Sequence, residues 1–273
     1  MSGRRTRAVR AAVAAAERLG LHGSTGRVIA DSNNTIVALE PAPLVAKVGT
    51  SPFDRDLGRE LAVAAHLAGA GAPVVEPSTL VPAGPHREDG LELTFWRRYA
   101  NAGRVVDGAE AGAALRALHA GFAGLTVALP AFETQLAAAA GLLADSSALQ
   151  ALPADDRAFL RAVQSELDST LQGRLLERRP LHGEAHFGNL LSTDEGPRWV
   201  DLEAACVGPV EWDLASLPAE AADAFPGVDE ELLSVLRRAK SFCVAVWCWA
   251  QPDRAAEVHE AAHVHLRLLR AGF

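Results

Sequence analysis

The sequence changes character near residue 100, and this change limits the folds that the chain can adopt. Residues 26–49 read as three short apolar segments, GRVIA, TIVALE and LVAKVG, separated by turn residues, which predicts a β-meander. Beyond residue 101, alanine and leucine recur at helical spacing. We therefore expect an α+β, two-lobed fold, with a small β-rich lobe over residues 1–100 and a larger, mostly helical lobe over residues 101–273.

Each lobe is expected to contain an exception to its main type of structure. In the first lobe, the N-terminal segment reads as a helix closed by Gly20, and residues 55–71 read as a second helix that ends in glycine. An extended segment should begin at Pro73, and the alternation in LELTFWRRY predicts a further strand. In the second lobe, the segments RPLHGEAHFGNLLST and PRWVDLEAA predict small strands between the helices.

Charge and cysteine content exclude several classes of protein. A net charge of -8 at pH 7 and a sequence pI near 5.6 give no general attraction to nucleic acid or to an anionic membrane surface. The apolar stretch Phe242–Ala250 is about half as long as a membrane-spanning helix requires. Three cysteines at irregular spacing suggest no disulfide framework, so we expect a cytoplasmic protein. We expect it to be a monomer or a homodimer.

Oxygen-bearing side chains are concentrated between residues 182 and 203. Glu184 and Asn189 lie in the segment HGEAHFGN, and Asp201 and Glu203 follow in the segment VDLE. Hard oxygen ligands suit Mg²⁺, which proteins usually hold with one or two side chains plus the phosphates of a nucleotide. Phosphoryl transfer needs such a metal, a cation over the phosphates and a residue that orients the attacking hydroxyl.

These segments resemble the motifs of a known family. HGEAHFGN is similar to the catalytic loop HGDxxxxN of the aminoglycoside phosphotransferases and choline kinase-like small-molecule kinases, whose fold is protein-kinase-like. Lys47 in LVAKVG resembles the family's phosphate-contacting lysine, and Glu60 in GRELAVAAHL resembles its helix partner. The stretch GPVEWDLA, residues 208–215, resembles the family's GPxxxDLA motif.

The resemblance implies a phosphotransferase that moves the γ-phosphoryl group of ATP or GTP, with Mg²⁺, to a hydroxyl of a small molecule. The acceptors that the resemblance leaves open are an aminoglycoside or another cationic or peptide antibiotic, an amino-sugar, a choline-like amine, a sugar and a homoserine-like metabolite. Antibiotic resistance is one role that the resemblance implies. Residues 1–100 would then bind the nucleotide, and residues 101–273 would carry the catalytic loop and the acceptor site. The implied roles are the catalytic base for Glu184; Mg²⁺ binding for Asn189 and Asp201; nucleotide binding for Lys47, Glu60, Ser32, Asn33, Asn34, Arg97 and Tyr99; structural support for His182 and Asp213; and acceptor binding for Glu203, Glu211, Trp247 and Trp249.

One residue departs from the family pattern. Glu184 stands where the family has its catalytic aspartate, which moves the carboxylate about 1.5 Å further from the backbone. A displacement of about 1 Å can lower a catalytic rate roughly a hundredfold. A catalytically impaired, nucleotide-binding protein of the same fold is therefore the alternative to an active kinase.

A short motif near the C-terminus suggests different chemistry. Residues 259–263 read HEAAH and match HExxH, in which two histidines one helical turn apart can bind zinc. A catalytic zinc ion needs a third protein ligand, but only ten residues follow His263, and leucine occupies position 266, where the extended motif has glycine. We therefore predict that the match is incidental and that a zinc protease is only a remote alternative.

Overall fold

The computed structural model describes residues 3–50, 56–145, 147–250 and 256–272, and it confirms the expected α+β class. The helices are α1 (Gly3–Arg18), α2 (Leu57–Gly69), α3 (Gly108–Gly121), α4 (Glu133–Ala144), α5 (Ala154–Leu171), α6 (Glu211–Leu214), α7 (Glu230–Trp249) and α8 (Ala256–Ala271). The strands are β1 (Thr25–Asp31), β2 (Thr35–Glu40), β3 (Leu44–Val48), β4 (His86–Glu88), β5 (Leu91–Arg97), β6 (Arg179–Leu181), β7 (Leu190–Thr193), β8 (Gly196–Trp199) and β9 (Cys206–Gly208). Short 3₁₀ helices occupy Phe187–Asn189, Leu202–Ala204 and Ala219–Ala224.

Backbone contacts group the chain into two compact units. The first comprises Met1–Ala128 and His186–Ala205, and the second comprises Leu129–Ala185 and Cys206–Phe273. The lobe boundary that we predict near residue 100 is based on composition and on the function of each lobe, whereas these units are defined by backbone contacts. The predicted boundary therefore stays a prediction.

The first unit is built on a five-stranded antiparallel sheet. Its strand order is β1-β2-β3-β5-β4, and the meander predicted over residues 26–49 forms the first three strands. Helix α1 packs an alanine-rich stripe onto one face of this sheet, where small side chains let the helix approach closely; the stripe consists of Ala8, Ala11, Ala12, Ala15 and Ala16.

Helix α2 is positioned by its first turn. The side chain of Asp56 accepts a hydrogen bond from the backbone N–H of Arg59 at 2.8 Å, and this N-cap satisfies a donor that the helix leaves unpaired. Glu60 lies in the same turn and is 1% exposed. The cap therefore fixes the start of helix α2, and this determines the position of the buried Glu60 side chain.

The second unit consists mainly of helices α4, α5, α7 and α8 around one apolar core. Phe132, Trp212 and Phe242 lie in this core, together with the leucines that recur at helical spacing along α5 and α7. Strands β6 and β9 pair antiparallel beside the core and support the segment that begins at His182. The stretch Phe242–Ala250 forms the end of α7 and its cap, and no helix among the described residues is long and apolar enough to cross a bilayer.

The region after Pro73 differs from the expectation of an extended strand. Only isolated bridges form there, between Val74 and Trp199 and between Pro77 and Trp96, and the next strand is β4. Prolines recur at positions 73, 77, 82 and 85, and each lacks the N–H that a continuous ladder needs.

Candidate active site

Lys47 is the centre of a buried cluster of charges in the first unit. It lies on β3 between Ile36 of β2 and Thr94 of β5, and it is 6% exposed. Its ammonium donates to both carboxylate oxygens of Glu60, at 2.8 and 2.9 Å. The strand lysine and the helix glutamate that the sequence pairs therefore meet in the structure.

Two further carboxylates complete the cluster. The Lys47 ammonium lies 2.8 Å from Oδ1 of Asp201 and 2.8 Å from Oε1 of Glu203. Asp201 has left-handed backbone angles, φ 64° and ψ 62°, a conformation that is uncommon for a residue with a side chain and often marks a functional site. The backbone N–H of Leu202 also donates to Glu60, at 3.2 Å, which ties this turn to helix α2.

The cluster has more negative than positive charge. Burial disfavours the ammonium, but the carboxylates of Glu60, Asp201 and Glu203 outweigh burial and raise the pKa of Lys47 above its ordinary value. Burial, together with the charges of Asp201 and Glu203, raises the pKa of Glu60 to about 7, although Lys47 acts in the opposite direction. One lysine therefore does not neutralise the three carboxylates.

The same carboxylates form a donor set that suits a hard cation. One oxygen from each of Glu60, Asp201 and Glu203 lies within 4.8 Å of the others. Oxygen donors with excess negative charge are what Mg²⁺ selects in proteins. The donor chemistry of this cluster thus fits the magnesium ion that the sequence predicts.

The turn between β1 and β2 reaches the cluster. Nδ2 of Asn34, the last residue of the turn over residues 31–34, donates to Oε1 of Glu203 at 2.5 Å. On the other side of the turn, Arg4 of helix α1 donates to the backbone carbonyls of Ser32 and Asn33, at 2.9 and 3.1 Å. The turn is therefore held at both ends, by an amide inside and by an arginine outside.

A cavity of about 500 Å³ opens beside the cluster, and every residue that lines it belongs to the first unit. Ser32, Asn34 and Lys47 lie at its polar end with Asp201. Its apolar lining includes Ile29, Val45, Val74, Leu191 and Val200, and Arg97, Arg98 and Asn101 line it as well. A cavity with both apolar and charged walls suits a ligand with a flat base and an anionic tail.

The segment after β5 lines the same cavity. Trp96, Arg97 and Tyr99 contribute to its wall, and nucleotide binding by Arg97 and Tyr99 stays a prediction. Two guanidinium groups contact the Tyr99 ring, those of Arg97 at 4.4 Å and Arg198 at 4.6 Å from its centre. These cation–π contacts restrain the ring in the wall of the cavity.

Asn189 lies at the end of the short 3₁₀ helix Phe187–Asn189 in the first unit. It is 8% exposed, lines the cavity, and its carbonyl accepts a hydrogen bond from the N–H of Val200 at 2.9 Å. This bond links the segment that contains Asn189 to the strand that leads into Asp201. Both residues that we predict to bind Mg²⁺ therefore line one cavity.

Residues 182–185, the first half of the HGEAHFGN segment that we predict to be catalytic, belong to the second unit. The carboxylate of Asp213, which is fully buried, accepts hydrogen bonds from the N–H of His182 at 2.8 Å and from the N–H of Gly183 at 2.7 Å. Gly183 has φ 85°, a conformation that favours glycine, and the N–H of Glu184 donates to Nδ1 of His182 at 3.3 Å. His182 and Asp213 thus hold the backbone that carries Glu184.

The four residues that we predict to bind the acceptor lie in different surroundings. Glu203 is 4% exposed and bonded within the Lys47 cluster, and Glu211 is buried and accepts from the N–H of Asp229 at 2.9 Å. Trp247 is half-buried, and Trp249 is buried, with its ring edge-on to a histidine. Glu203 belongs to the first unit, whereas Glu211, Trp247 and Trp249 belong to the second, and the role of all four in acceptor binding stays a prediction.

The HExxH motif falls on helix α8. The side chain of His259 lies outside the described residues, whereas the ring of His263 packs edge-on against Trp249, with 5.1 Å between ring centres. Nδ1 of His265 lies 3.0 Å from the hydroxyl of Ser241. Packing and hydrogen bonding thus account for both described histidines.

A strand lysine is paired with a helix glutamate beside an antiparallel sheet, and mostly helical structure follows along the chain. These features define a kinase-like small-molecule phosphotransferase. Residues 26–257 match the model of the phosphotransferase enzyme family known as APH. The chain belongs to this family, as its motifs predict, and its reaction is phosphoryl transfer to a small molecule.

Solved structures share the fold at low sequence identity. A choline/ethanolamine kinase family protein from Mesorhizobium loti is 19% identical, with a TM-score of 0.68 over 98% of this chain and 94% of that one. Amicoumacin kinase hAmiN, in complex with AMP-PNP, Ca²⁺ and Ami, is 13% identical, with a TM-score of 0.66 over 90% of this chain and 88% of that one. The GDP and kanamycin complex of APH(2")-IIia is 12% identical, with a TM-score of 0.67 over 96% of this chain and 97% of that one. No curated protein matches the chain in sequence.

Proposed function

We propose that this enzyme transfers the γ-phosphoryl group of ATP or GTP, bound with Mg²⁺, to a hydroxyl of an amine-bearing small molecule. The observation that carries the proposal is the buried cluster of Lys47 with Glu60, Asp201 and Glu203 at the polar end of the cavity. A nucleotide in this cavity would place its base between the apolar side chains and its phosphates beside the lysine.

Each residue of the cluster has a distinct task in this proposal. Lys47 contacts the α- and β-phosphates, and Glu60 keeps the ammonium in place through its two short hydrogen bonds. Asp201 and Asn189 hold Mg²⁺, and Glu203 lies close enough to Asp201 to serve with them. When bound, Mg²⁺ neutralises the charge of the phosphates and of the surplus carboxylates. We thus place Glu203 with the nucleotide and the metal, instead of with the acceptor as the sequence suggests.

Glu184 is the base in this proposal. It takes the proton of the acceptor hydroxyl as the oxygen bonds to the γ-phosphorus, while the bond to the β–γ bridging oxygen breaks and the nucleoside diphosphate leaves. The motif order HGExxxxN supports this role, and so do the hydrogen bonds that fix the backbone before Glu184. The longer side chain would move the carboxylate outward, which suits an acceptor held further from the loop.

A coupled assay of ADP or GDP release tests the acceptor class. The similar proteins include a choline/ethanolamine kinase family member and enzymes crystallised with kanamycin and with Ami, so the screen should begin with aminoglycosides and with choline and ethanolamine. Simple neutral sugars serve as matched acceptors that offer hydroxyls and no amine. Release that is faster with a neutral sugar than with any cationic acceptor would contradict the proposed acceptor class.

Variants of Glu184 test the catalytic role separately. Glu184→Gln keeps the size of the side chain and removes its ability to take a proton, so turnover should fall about a hundredfold or more, while nucleotide affinity should change little. Glu184→Asp restores the family residue and should change turnover in one direction or the other. Wild-type turnover in Glu184→Gln would show that another residue is the base.

We also propose that the enzyme works in the cytoplasm. Two of its three cysteines, Cys206 and Cys243, are buried, and burial raises the pKa of both thiols to about 12. Thiols of this kind need no oxidising compartment. An active enzyme purified with all three thiols free agrees with this location, whereas activity that depends on an oxidised pair would contradict it.

A further inference from the structure

A buried lysine in the second unit has no part in the mechanism described so far. The sequence contains only two lysines, and arginine supplies nearly all of its positive charge. The second lysine is Lys240. It lies in the middle of helix α7 and is 6% exposed. A buried ammonium is disfavoured by burial, so its retention calls for a specific partner.

The partner is the backbone of the catalytic segment. Nζ of Lys240 donates to the carbonyl of Gly183 at 2.5 Å, and it lies 3.8 Å from the ring centre of Trp212. This carbonyl belongs to the peptide bond that joins Gly183 to Glu184. A second donor, Nε2 of Gln135, reaches the same oxygen at 3.4 Å, a distance typical of a much weaker bond.

The opposite charge holds the other side of the same turn. The carboxylate of Asp213 accepts hydrogen bonds from the N–H groups of His182 and Gly183. The ammonium of Lys240 donates to the carbonyl of the next peptide bond, so groups of opposite charge hold consecutive peptide bonds. Burial lowers the pKa of Lys240, while the charges of Asp213 and Glu184 favour its ionised form. Charge-assisted bonds of this type are shorter and stronger than neutral ones.

Glutamate at this position makes such a grip more important. A glutamate side chain has one more rotatable bond than the aspartate of the family, so its carboxylate samples a wider region for the same backbone. A fixed peptide bond directly before Glu184 removes one source of that spread.

We propose that Lys240 is a positioning residue, which fixes the Gly183–Glu184 peptide and thereby places the Glu184 carboxylate for the acceptor hydroxyl. The inference rests on the proposed role of Glu184. Lys240 does not touch the reacting atoms in this account, and it does not contribute to nucleotide affinity.

The test compares three variants in the intact enzyme. Lys240→Met keeps the length of the side chain and removes the ammonium, whereas Lys240→Arg keeps a charged donor. Ser241→Ala is the matched control, because Ser241 is the next residue of the same helix, is 4% exposed, and lies 3.0 Å from Nδ1 of His265 instead of contacting the catalytic segment.

Two readouts are needed. Hydrogen–deuterium exchange of the amides at residues 182–184 should be about tenfold or more faster in Lys240→Met, the change expected when a charge-assisted bond to the adjoining peptide is lost. The turnover of Mg·ATP hydrolysis, with water as the probe acceptor, should fall about tenfold to a hundredfold, with the KM for ATP unchanged. Lys240→Arg should lie closer to wild type in both readouts, and Ser241→Ala should change neither.

Three outcomes would overturn the proposal: exchange at wild-type rate in Lys240→Met, equal effects of the methionine and arginine variants, or a loss of turnover in Ser241→Ala that matches that of Lys240→Met. A wild-type enzyme that neither binds nor hydrolyses ATP would instead overturn the proposed function. The exchange comparison needs no activity, so it would still decide whether Lys240 holds the peptide.

Discussion

The ionisation of Glu60 provides a quantitative test of the charge cluster. Its carboxylate is buried beside Lys47, Asp201 and Glu203, and this environment raises the pKa of Glu60 from 4.5 to about 7. A glutamine at this position keeps the size and an acceptor oxygen, and it removes the titration. Glu60→Gln therefore isolates the effect of one proton on the free energy of unfolding.

The magnitude follows from linkage. A carboxyl group whose pKa is higher in the folded state contributes stability below its unfolded pKa, and this contribution is lost as pH rises through the folded pKa. A pKa raised from 4.5 to about 7 corresponds to roughly 3 kcal/mol, and most of it should be lost between about pH 5 and pH 8. Lys47 stays charged across this range, because its pKa lies above the ordinary value.

Urea unfolding of wild type and Glu60→Gln, at several pH values in this window, measures the effect. The difference in unfolding free energy between the two proteins should change by about 3 kcal/mol from the acidic to the alkaline end, in favour of the variant at alkaline pH. Titrating groups outside the Lys47 cluster are common to both proteins and cancel. Parallel curves would mean that the pKa of Glu60 is the same in the folded and the unfolded protein, and would contradict this prediction.

Three further predictions concern single side chains. Arg4→Ala should weaken Mg·ATP binding about two- to fivefold by calorimetry, because Arg4 holds the carbonyls of the turn over residues 31–34. The control Arg10→Ala removes an equal charge that pairs with another loop, and it should leave binding unchanged. Equal effects of the two variants would mean that helix α1 acts only through charge. Asp213→Asn should lower the free energy of unfolding by about 1–3 kcal/mol and should also lower turnover, because its amide NH₂ would face one of two backbone N–H groups. An unchanged unfolding free energy and unchanged turnover would mean that Asp213 does not support the site. His263→Ala should leave metal content and activity unchanged, and a bound zinc ion lost in this variant would restore the metalloprotease alternative.

Regular elements explain why part of the site is predictable. Lys47 and Glu60 lie on a strand and on the first turn of a helix, where the alternation of two and the helical period determine which way a side chain points. The motif order then places Asn189 and Asp201 near strand ends. For these residues a linear pattern contains most of the spatial information.

Irregular backbone explains what the sequence does not reveal. Glu203 follows Asp201 by two residues, but the left-handed angles of Asp201 and the 3₁₀ turn after it break any alternation, and Glu203 points back to Lys47. Lys240 contacts a loop about sixty residues away along the chain, and only its rarity as a lysine marks it in the sequence. Such contacts depend on how the elements pack, which local patterns do not encode.

Titration calorimetry with Mg·ATP and Mg·GTP measures whether the Lys47 cluster binds a nucleotide. Wild type should bind at least one of the two nucleotides, and both Lys47→Ala and Asp201→Ala, after their folding has been checked by thermal melting, should weaken that binding about tenfold to a hundredfold through the loss of a charged contact. No measurable affinity in wild type, or an affinity that is the same in wild type and both variants, would contradict nucleotide-dependent phosphoryl transfer at this cluster.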